Sequence, residues 1–221
     1  MKIIEPSYEI LTNIDGNKIL KDIELAGRCC YKSEDKITDD SCIEFVQNLL
    51  NRGHLAMIEH SFLSVKFICN RGFTHEMVRH RLCAFAQEST RFVNYSKDKH
   101  GSEITVIRPP FLHESKRPMP EDWKHDANFL NNELDWLAAM KHAELSYLKL
   151  ISNGCTPNEA RGVLPIDVKT EITVSCNLRE WIHIFKMRTP NTAHPSMQQL
   201  MRPLCTELKT RIPLIFDELS W

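Results

Sequence analysis

Glycine is scarce. Seven of the 221 residues are Gly, and nowhere do they form Gly-x-Gly-x-x-Gly or Gly-x-x-x-x-Gly-Lys-Ser/Thr. A Rossmann turn and a phosphate-cradling P-loop are therefore excluded, and any bound nucleotide must be gripped by side chains. The eight cysteines stand at 29, 30, 42, 69, 83, 155, 176 and 205 with no Cys-x-x-Cys pair, which speaks against structural zinc and a redox dithiol. No apolar run reaches the ~18 residues of a membrane span. The start, Met1-Lys2-Ile3-Ile4-Glu5-Pro6, lacks the pattern of an export signal. Free thiols and a cytoplasmic location are expected. Charge of one sign is missing too: 28 Lys and Arg face 29 Asp and Glu, a net charge of -1. No global field draws a nucleic-acid polymer or an anionic membrane, so anion chemistry has to be local.

What is present is ordinary for a globular chain, with 42% hydrophobic and 26% charged residues. Residues 39–52 carry Ile43, Phe45, Val46, Leu49 and Leu50 at helical spacing, with Gly53 placed for a left-handed cap. Ser61 to Cys69 alternates as a strand through Leu63, Val65 and Phe67. Asn70 suits the cap of a helix from Gly72 to Phe85, with Phe73, Met77, Val78 and Leu82 as its apolar face. Residues 104–107 read as a short strand inside a long connection over 97–120. A helix is expected from Glu121 to about Ser152, with Leu130, Leu134, Leu137, Leu145 and Leu148 at helical spacing and Gly154 as its stop. Thr156-Pro157-Asn158-Glu159 is a capping box, Ile172, Val174 and Cys176 alternate as a strand, and Asn177 to Glu180 caps a helix to Arg188. Pro195 opens a helix to Lys209, and a short helical piece follows. The pattern predicts an α/β chain: a helix-rich single domain over residues 1–221, with a small central, mostly antiparallel sheet flanked by helices.

The densest chemistry lies at Arg79-His80-Arg81, followed after seven residues by Ser89 and then Arg91. Between Arg71 and Arg91, four arginines outnumber Glu76 and Glu88. On a helix Arg79 and Arg81 would point about 200° apart and serve different ligands or a subunit contact. A solvated basic helix end is the bland alternative. Guanidinium forks beside a hydroxyl are what phosphate recognition uses. His75-Glu76-Met77-Val78-Arg79-His80 superficially resembles a zinc-peptidase helix, but its second His is at i+5, about 140° around the helix, so the imidazoles diverge. Cys83, near the arginines, reads as a small packing thiol.

Taken with Gly53-His54, Glu59-His60, Ser89-x-Arg91, Glu159-x-Arg161-x-x-Leu164-Pro165, and Asn177-x-Arg179 with Arg188, the Arg-His-Arg-x7-Ser run resembles flavin-dependent thymidylate synthases over about residues 50–205. The resemblance implies an α/β homotetramer with active sites shared between subunits. It implies FAD as cofactor, with dUMP, methylenetetrahydrofolate and NADPH as substrates and dTMP as product, and no cysteine nucleophile. Carried over by position, His54, Arg79, His80, Arg81, Asn177, Arg179 and His183 contact the flavin. Glu76, Gln87, Ser89, Thr90, Arg91 and Arg161 hold dUMP, Glu76 near the sugar and Arg161 near the phosphate or base. Arg188 also touches dUMP and resembles the arginine that polarises the uracil ring. It is the one residue assigned a catalytic role, which suits a group that stays protonated.

The chain departs from the common family form at Gln87 (often Glu), Thr90 (often Gly), Phe92 (usually Tyr), Glu76 (commonly Gln) and His183 (commonly Asn). Two other readings remain open on the residues themselves: a flavoprotein that only oxidises NADPH, and a non-catalytic nucleotide- or RNA-binding module. The 8% of aromatic residues, unclustered, weigh against an RNA platform.

Overall fold

A computed structural model describes residues 1–97, 101–112 and 127–219, with side chains omitted for 127–131. The chain divides into two compact units. The first comprises Met1–Ser7, Ile68–Met77 and Ala86–Ile172; the second comprises Tyr8–Phe67, Val78–Phe85 and Thr173–Trp221.

A four-stranded sheet has the order β2 (Ser7–Ile10), β3 (Phe62–Asn70), β6 (Lys169–Asn177), β4 (Ala84–Gln87). It is mostly antiparallel, and a separate parallel pair joins β1 (Lys2–Ile4) to β5 (Thr105–Ile107) with Ile3 opposite Val106. Strands β3 and β6 alternate as expected, with Leu63, Val65, Phe67, Ile172, Val174 and Cys176 buried. The helix-rich α/β expectation holds.

In the first unit, α4 (Ala127–Ser152) supplies Trp136, Met140 and Tyr147 to a core shared with Tyr95, Ile104, Val106 and Leu112. The leucines at helical spacing do not form one inward stripe, because Leu134 and Leu145 are 60% and 56% exposed. Larger side chains took the buried positions: Trp136 anchors its indole N–H on Asp167 at 2.9 Å, and the Tyr95 and Tyr147 rings pack edge to face. The expected helix start at 121–126 and the side chain of Leu130 lie outside the described residues, as do 98–100 and 113–120 of the expected connection. Gly154 closes α4 at φ +95°. The Thr156 capping box opens the short α5 (Pro157–Ala160), followed by a 3-10 turn at Arg161–Val163.

The second unit gathers α1 (Gly16–Cys29), α2 (Ser41–Asn51), a 3-10 segment (Leu55–His60), α6 (Leu178–Arg188), α7 (Pro195–Arg211) and α8 (Pro213–Phe216). Trp181, Phe185 and Phe216 form an aromatic stack at its centre, and the Trp181 indole donates to the Leu63 carbonyl at 3.2 Å. Gly53 ends α2 at φ +68°, where its N–H bonds Leu50 O and that of His54 bonds Leu49 O.

One expected element is corrected. The helix begun at Asn70, whose Oδ1 accepts from Phe73 N at 2.9 Å, is α3 (Arg71–Met77) and stops eight residues short of Phe85. Residues 78–83 form turns, and Val78 and Leu82 are exposed instead of lining an apolar helix face. The reason is tertiary. Residues 84–87 are used as the edge strand beside β6, continued by Glu88 N donating to Glu171 O at 2.9 Å, and an extended edge cannot be helical. Arg79, His80 and Arg81 therefore sit in a turn, and the helical divergence expected for the two arginines does not apply.

Candidate active site

The second unit holds the residues assigned to the flavin. Asn177 ends β6 and caps α6, its Oδ1 accepting from Glu180 N at 2.8 Å. That cap sets Glu180 and His183 on the first turns of α6, while Arg188 occupies its last turn, where a cation is favoured by the helix dipole.

Across from them the turn delivers His80 inward and leaves Arg79 and Arg81 exposed. His80 is 6% exposed. Arg188 Nε donates to its Nε2 at 3.0 Å, the Glu180 carboxylate lies 3.6 Å from its Nδ1, and the His183 ring meets it edge-on at 5.6 Å. Burial first, then the electrostatic influence of Arg188, His183 and Arg79, pushes the His80 pKa down to about 4. The imidazole is thus neutral at physiological pH, and its contact with Glu180 joins a carboxylate to a ring N–H without a second full charge. Burial also raises the pKa of Glu180. His80, Glu180 and His183 bring potential ligand atoms within 4.8 Å of one another. A guanidinium already bonded to His80 opposes a metal cation there, so the group reads as a proton-positioning cluster.

A cavity of about 390 Å³ opens in the same unit, lined by Tyr31, Phe45, Leu49, His54, Met57 and Arg179 among others. It has apolar walls with a few polar groups at the edge, the make-up of a small-molecule or cofactor site. Two residues assigned to the flavin, His54 and Arg179, meet here. Arg179 also pairs with Glu59 at 2.6 Å; both are about half exposed, so the pair adds ~1 kcal/mol at most. Gly27 lets α1 approach α2: a Cβ there would stand 2.6 Å from the Phe45 ring. Tyr31, Met57 and Cys30 line the cavity without having been singled out, because they come from segments with no motif of their own.

The first unit holds the residues assigned to dUMP apart from Arg188. Gln87 ends β4 and its amide nitrogen donates to Thr74 Oγ1 at 3.0 Å and Thr170 Oγ1 at 3.3 Å, both buried threonines. An amide can do this where a carboxylate could not, since an ionised Glu has no proton to give. Ser89 Oγ accepts from Arg91 N at 3.3 Å, which turns the chain, and Thr90 is buried. Arg91 is exposed with its guanidinium 5.5 Å from the Phe92 ring centre. Glu76 is half-buried on α3, and Arg161 is exposed at the head of its 3-10 turn.

Motif reading missed the scaffold beneath this loop. The Glu88 carboxylate accepts from Lys169 Nζ at 3.0 Å and from the Tyr95 hydroxyl at 3.2 Å, and its carbonyl accepts from Arg71 at 3.0 Å. The Arg71 Nε is buried without a hydrogen-bond partner among the described residues. Two of the buried thiols are held protonated by burial, which raises the pKa of Cys69, and that of Cys205 to about 11.

An α/β fold carrying a half-buried arginine on a buried histidine, and separately an Arg- and hydroxyl-rich loop, has the side chains suited to binding an anionic small molecule. Comparison with known proteins narrows the reading. A family model described as "Thymidylate synthase complementing protein" matches residues 14–214. A flavin-dependent thymidylate synthase of Corynebacterium aurimucosum is 31% identical over 202 residues, covering 89% of this chain and 78% of that protein. One of Pyrococcus furiosus is 27% identical, covering 84% of this chain and 70% of that protein. Among solved structures, the UMP/dUMP methylase PolB of Streptomyces cacaoi bound with 5-Br dUMP superimposes with a TM-score of 0.76 at 17% identity, covering 98% of this chain and 96% of that one, a likeness of fold. The chain belongs to the flavin-dependent thymidylate synthase family.

Proposed function

We propose that this protein converts dUMP to dTMP by reductive methylation, taking a methylene group from methylenetetrahydrofolate and electrons from NADPH through bound FAD. The single observation that carries this reading is the Arg188–His80 contact, a permanent cation held by a neutral buried imidazole, in a chain of this family. FAD, when bound, supplies the two-electron chemistry that the protein's own side chains lack.

The chain's residues bind, orient and polarise. His54 and Arg179 meet at the cavity, which fits a cofactor with a flat apolar ring and an anionic diphosphate. Arg79 and Arg81, exposed beside His80, offer guanidinium donors to such an anion, and Asn177, His80 and His183 complete the assigned set. Gln87, Ser89, Thr90, Arg91, Glu76 and Arg161 form the proposed dUMP set. In it the Gln87 amide nitrogen is committed to Thr74 and Thr170, so its carbonyl end is the part assigned to ligand. A guanidinium carries five N–H donors, and His80 takes one from Arg188. The residue is thereby oriented to stabilise negative charge developing on the uracil ring. We infer assembly as a homotetramer with sites completed by more than one copy.

The test is to purify the protein, record the visible flavin spectrum, and follow dTMP from dUMP, methylenetetrahydrofolate and NADPH, omitting each in turn. Production of dTMP that stops with every omission is expected. NADPH consumption without dTMP would replace this reading with that of a simple NADPH-oxidising flavoprotein.

A further inference from the structure

We infer that Glu180 is a positioning residue for this reaction: it fixes the proton on Nδ1 of His80, and through His80 it aims Arg188. The inference rests on the role proposed above for Arg188. His80 Nε2 accepts from Arg188 Nε at 3.0 Å, so a neutral ring must carry its proton on Nδ1. The opposite tautomer would set an Nε2–H against the Arg188 N–H, donor to donor, and the guanidinium would lose its anchor.

The carboxylate facing Nδ1 at 3.6 Å is the group that makes the required tautomer the stable one. It is 7% exposed, and the basic side chain set against it among the described residues is the neutral His80. Its placement is built in, because its backbone N–H is tied to the Asn177 cap and cannot slide along α6. At 3.6 Å the contact is longer than a hydrogen bond, and catalytic contacts of this kind shorten when substrate binds. Among the described residues, the charged and titratable groups facing His80 are Glu180, His183 and Arg188, all on α6, and Arg79 on its own turn. Glu180 is the one acid among them, so it holds on the Nδ1 side the tautomer that Arg188 requires on the Nε2 side.

The experiment uses the full chain, wild type and Glu180→Leu and Glu180→Gln variants, with two readouts. The first is the ¹⁵N spectrum of the histidine rings, which reports the His80 tautomer without turnover. Wild type should show Nδ1–H, Glu180→Gln should keep it through the amide oxygen, and Glu180→Leu should shift toward Nε2–H. The second is steady-state dTMP formation. Glu180→Leu should lower kcat by about 10–100-fold, less than the ~10⁴-fold lost where a directly bonded carboxylate holds a histidine tautomer. Its dUMP KM should change less than about threefold and its flavin absorbance should persist, while Glu180→Gln recovers most of kcat. A purely structural carboxylate would instead lower flavin content, KM and thermal stability together and leave the tautomer unchanged, which overturns the inference. Unchanged kcat in Glu180→Leu also overturns it. If Glu180→Leu does not fold, the Gln variant decides: retained Nδ1–H with near-normal kcat supports the inference, and lost kcat with an unchanged tautomer refutes it. A wild-type protein with the expected tautomer that makes no dTMP refutes the proposed function and leaves the Glu180–His80 relation standing.

Discussion

Acid should loosen this protein through His80, and the size of the effect follows from the structure. The ring's pKa falls from an ordinary 6.5 to about 4 in the folded chain. Above pH 6.5 the imidazole is neutral both folded and unfolded, so nothing is lost. Between 6.5 and about 4 the unfolded chain takes up a proton that the folded chain refuses, so folding stability falls with pH; below that the loss is complete. At about 1.4 kcal/mol per tenfold difference in proton affinity, about 2 kcal/mol has gone by pH 5 and about 3 kcal/mol by pH 4. Those are large fractions of a typical stability of ~5–15 kcal/mol. Glu180 acts in the opposite direction: its raised pKa means the folded chain holds that proton more tightly, which adds stability as pH falls. The comparison must therefore be between wild type and His80→Gln, where the Gln keeps an acceptor for Arg188 and Glu180 stays in place. Melting temperatures at pH 7, 6 and 5 are the assay. For a chain of this size ~1 kcal/mol shifts the midpoint by about 2–4 °C, so wild type should lose roughly 4–8 °C more than the variant between pH 7 and 5. Parallel declines would refute the buried, neutral His80 on which the Arg188 argument depends.

Arg188→Ala should retain the flavin spectrum and lose dTMP formation by about 10²–10³-fold in kcat, as when an oxyanion-stabilising donor is removed; loss of flavin instead would reassign that arginine to the cofactor. Arg91→Ala should raise the dUMP KM about 10-fold or more, since a charge-assisted hydrogen bond contributes ~1.5–3 kcal/mol; an unchanged KM removes Arg91 from the nucleotide site. Gly27→Val would force the Phe45 ring into the cavity and weaken flavin binding, read by fluorescence titration, and undiminished affinity would place the flavin elsewhere. Asn177→Ala removes the α6 cap and should cost about 1 kcal/mol in denaturant unfolding.

Local signals carried much of the fold. The alternation in β3 and β6, the Asn70 and Asn177 caps, the Thr156 capping box and the glycine stops at 53 and 154 are each decided by a few adjacent residues, and the structure keeps them. Where the outcome depended on distant chain, pattern reading failed. The helical run past Met77 yields because 84–87 is needed beside β6, and Leu134 and Leu145 turn outward because Trp136 and Tyr147 fill the core. The same division holds in the site. Arg79, His80, Arg81, Ser89, Arg91, Asn177 and Arg179 stand out as motif residues. Glu180 and Glu88 read as a helix-cap acid and a loop acid until the fold shows each beside a partner from elsewhere in the chain. Gln87 illustrates a substitution whose meaning is spatial, since its amide serves two threonines, 13 and 83 residues away in sequence.

The central claim is that flavin oxidation and methyl transfer to dUMP are one coupled event on this protein. A single-turnover measurement tests it: protein with its flavin reduced, mixed without air with dUMP and methylenetetrahydrofolate, followed by flavin absorbance and by quantifying dTMP. The account predicts one dTMP formed per flavin reoxidised, and no reoxidation when dUMP is left out. Flavin that reoxidises without dTMP, or a protein that binds no flavin at all, would contradict it.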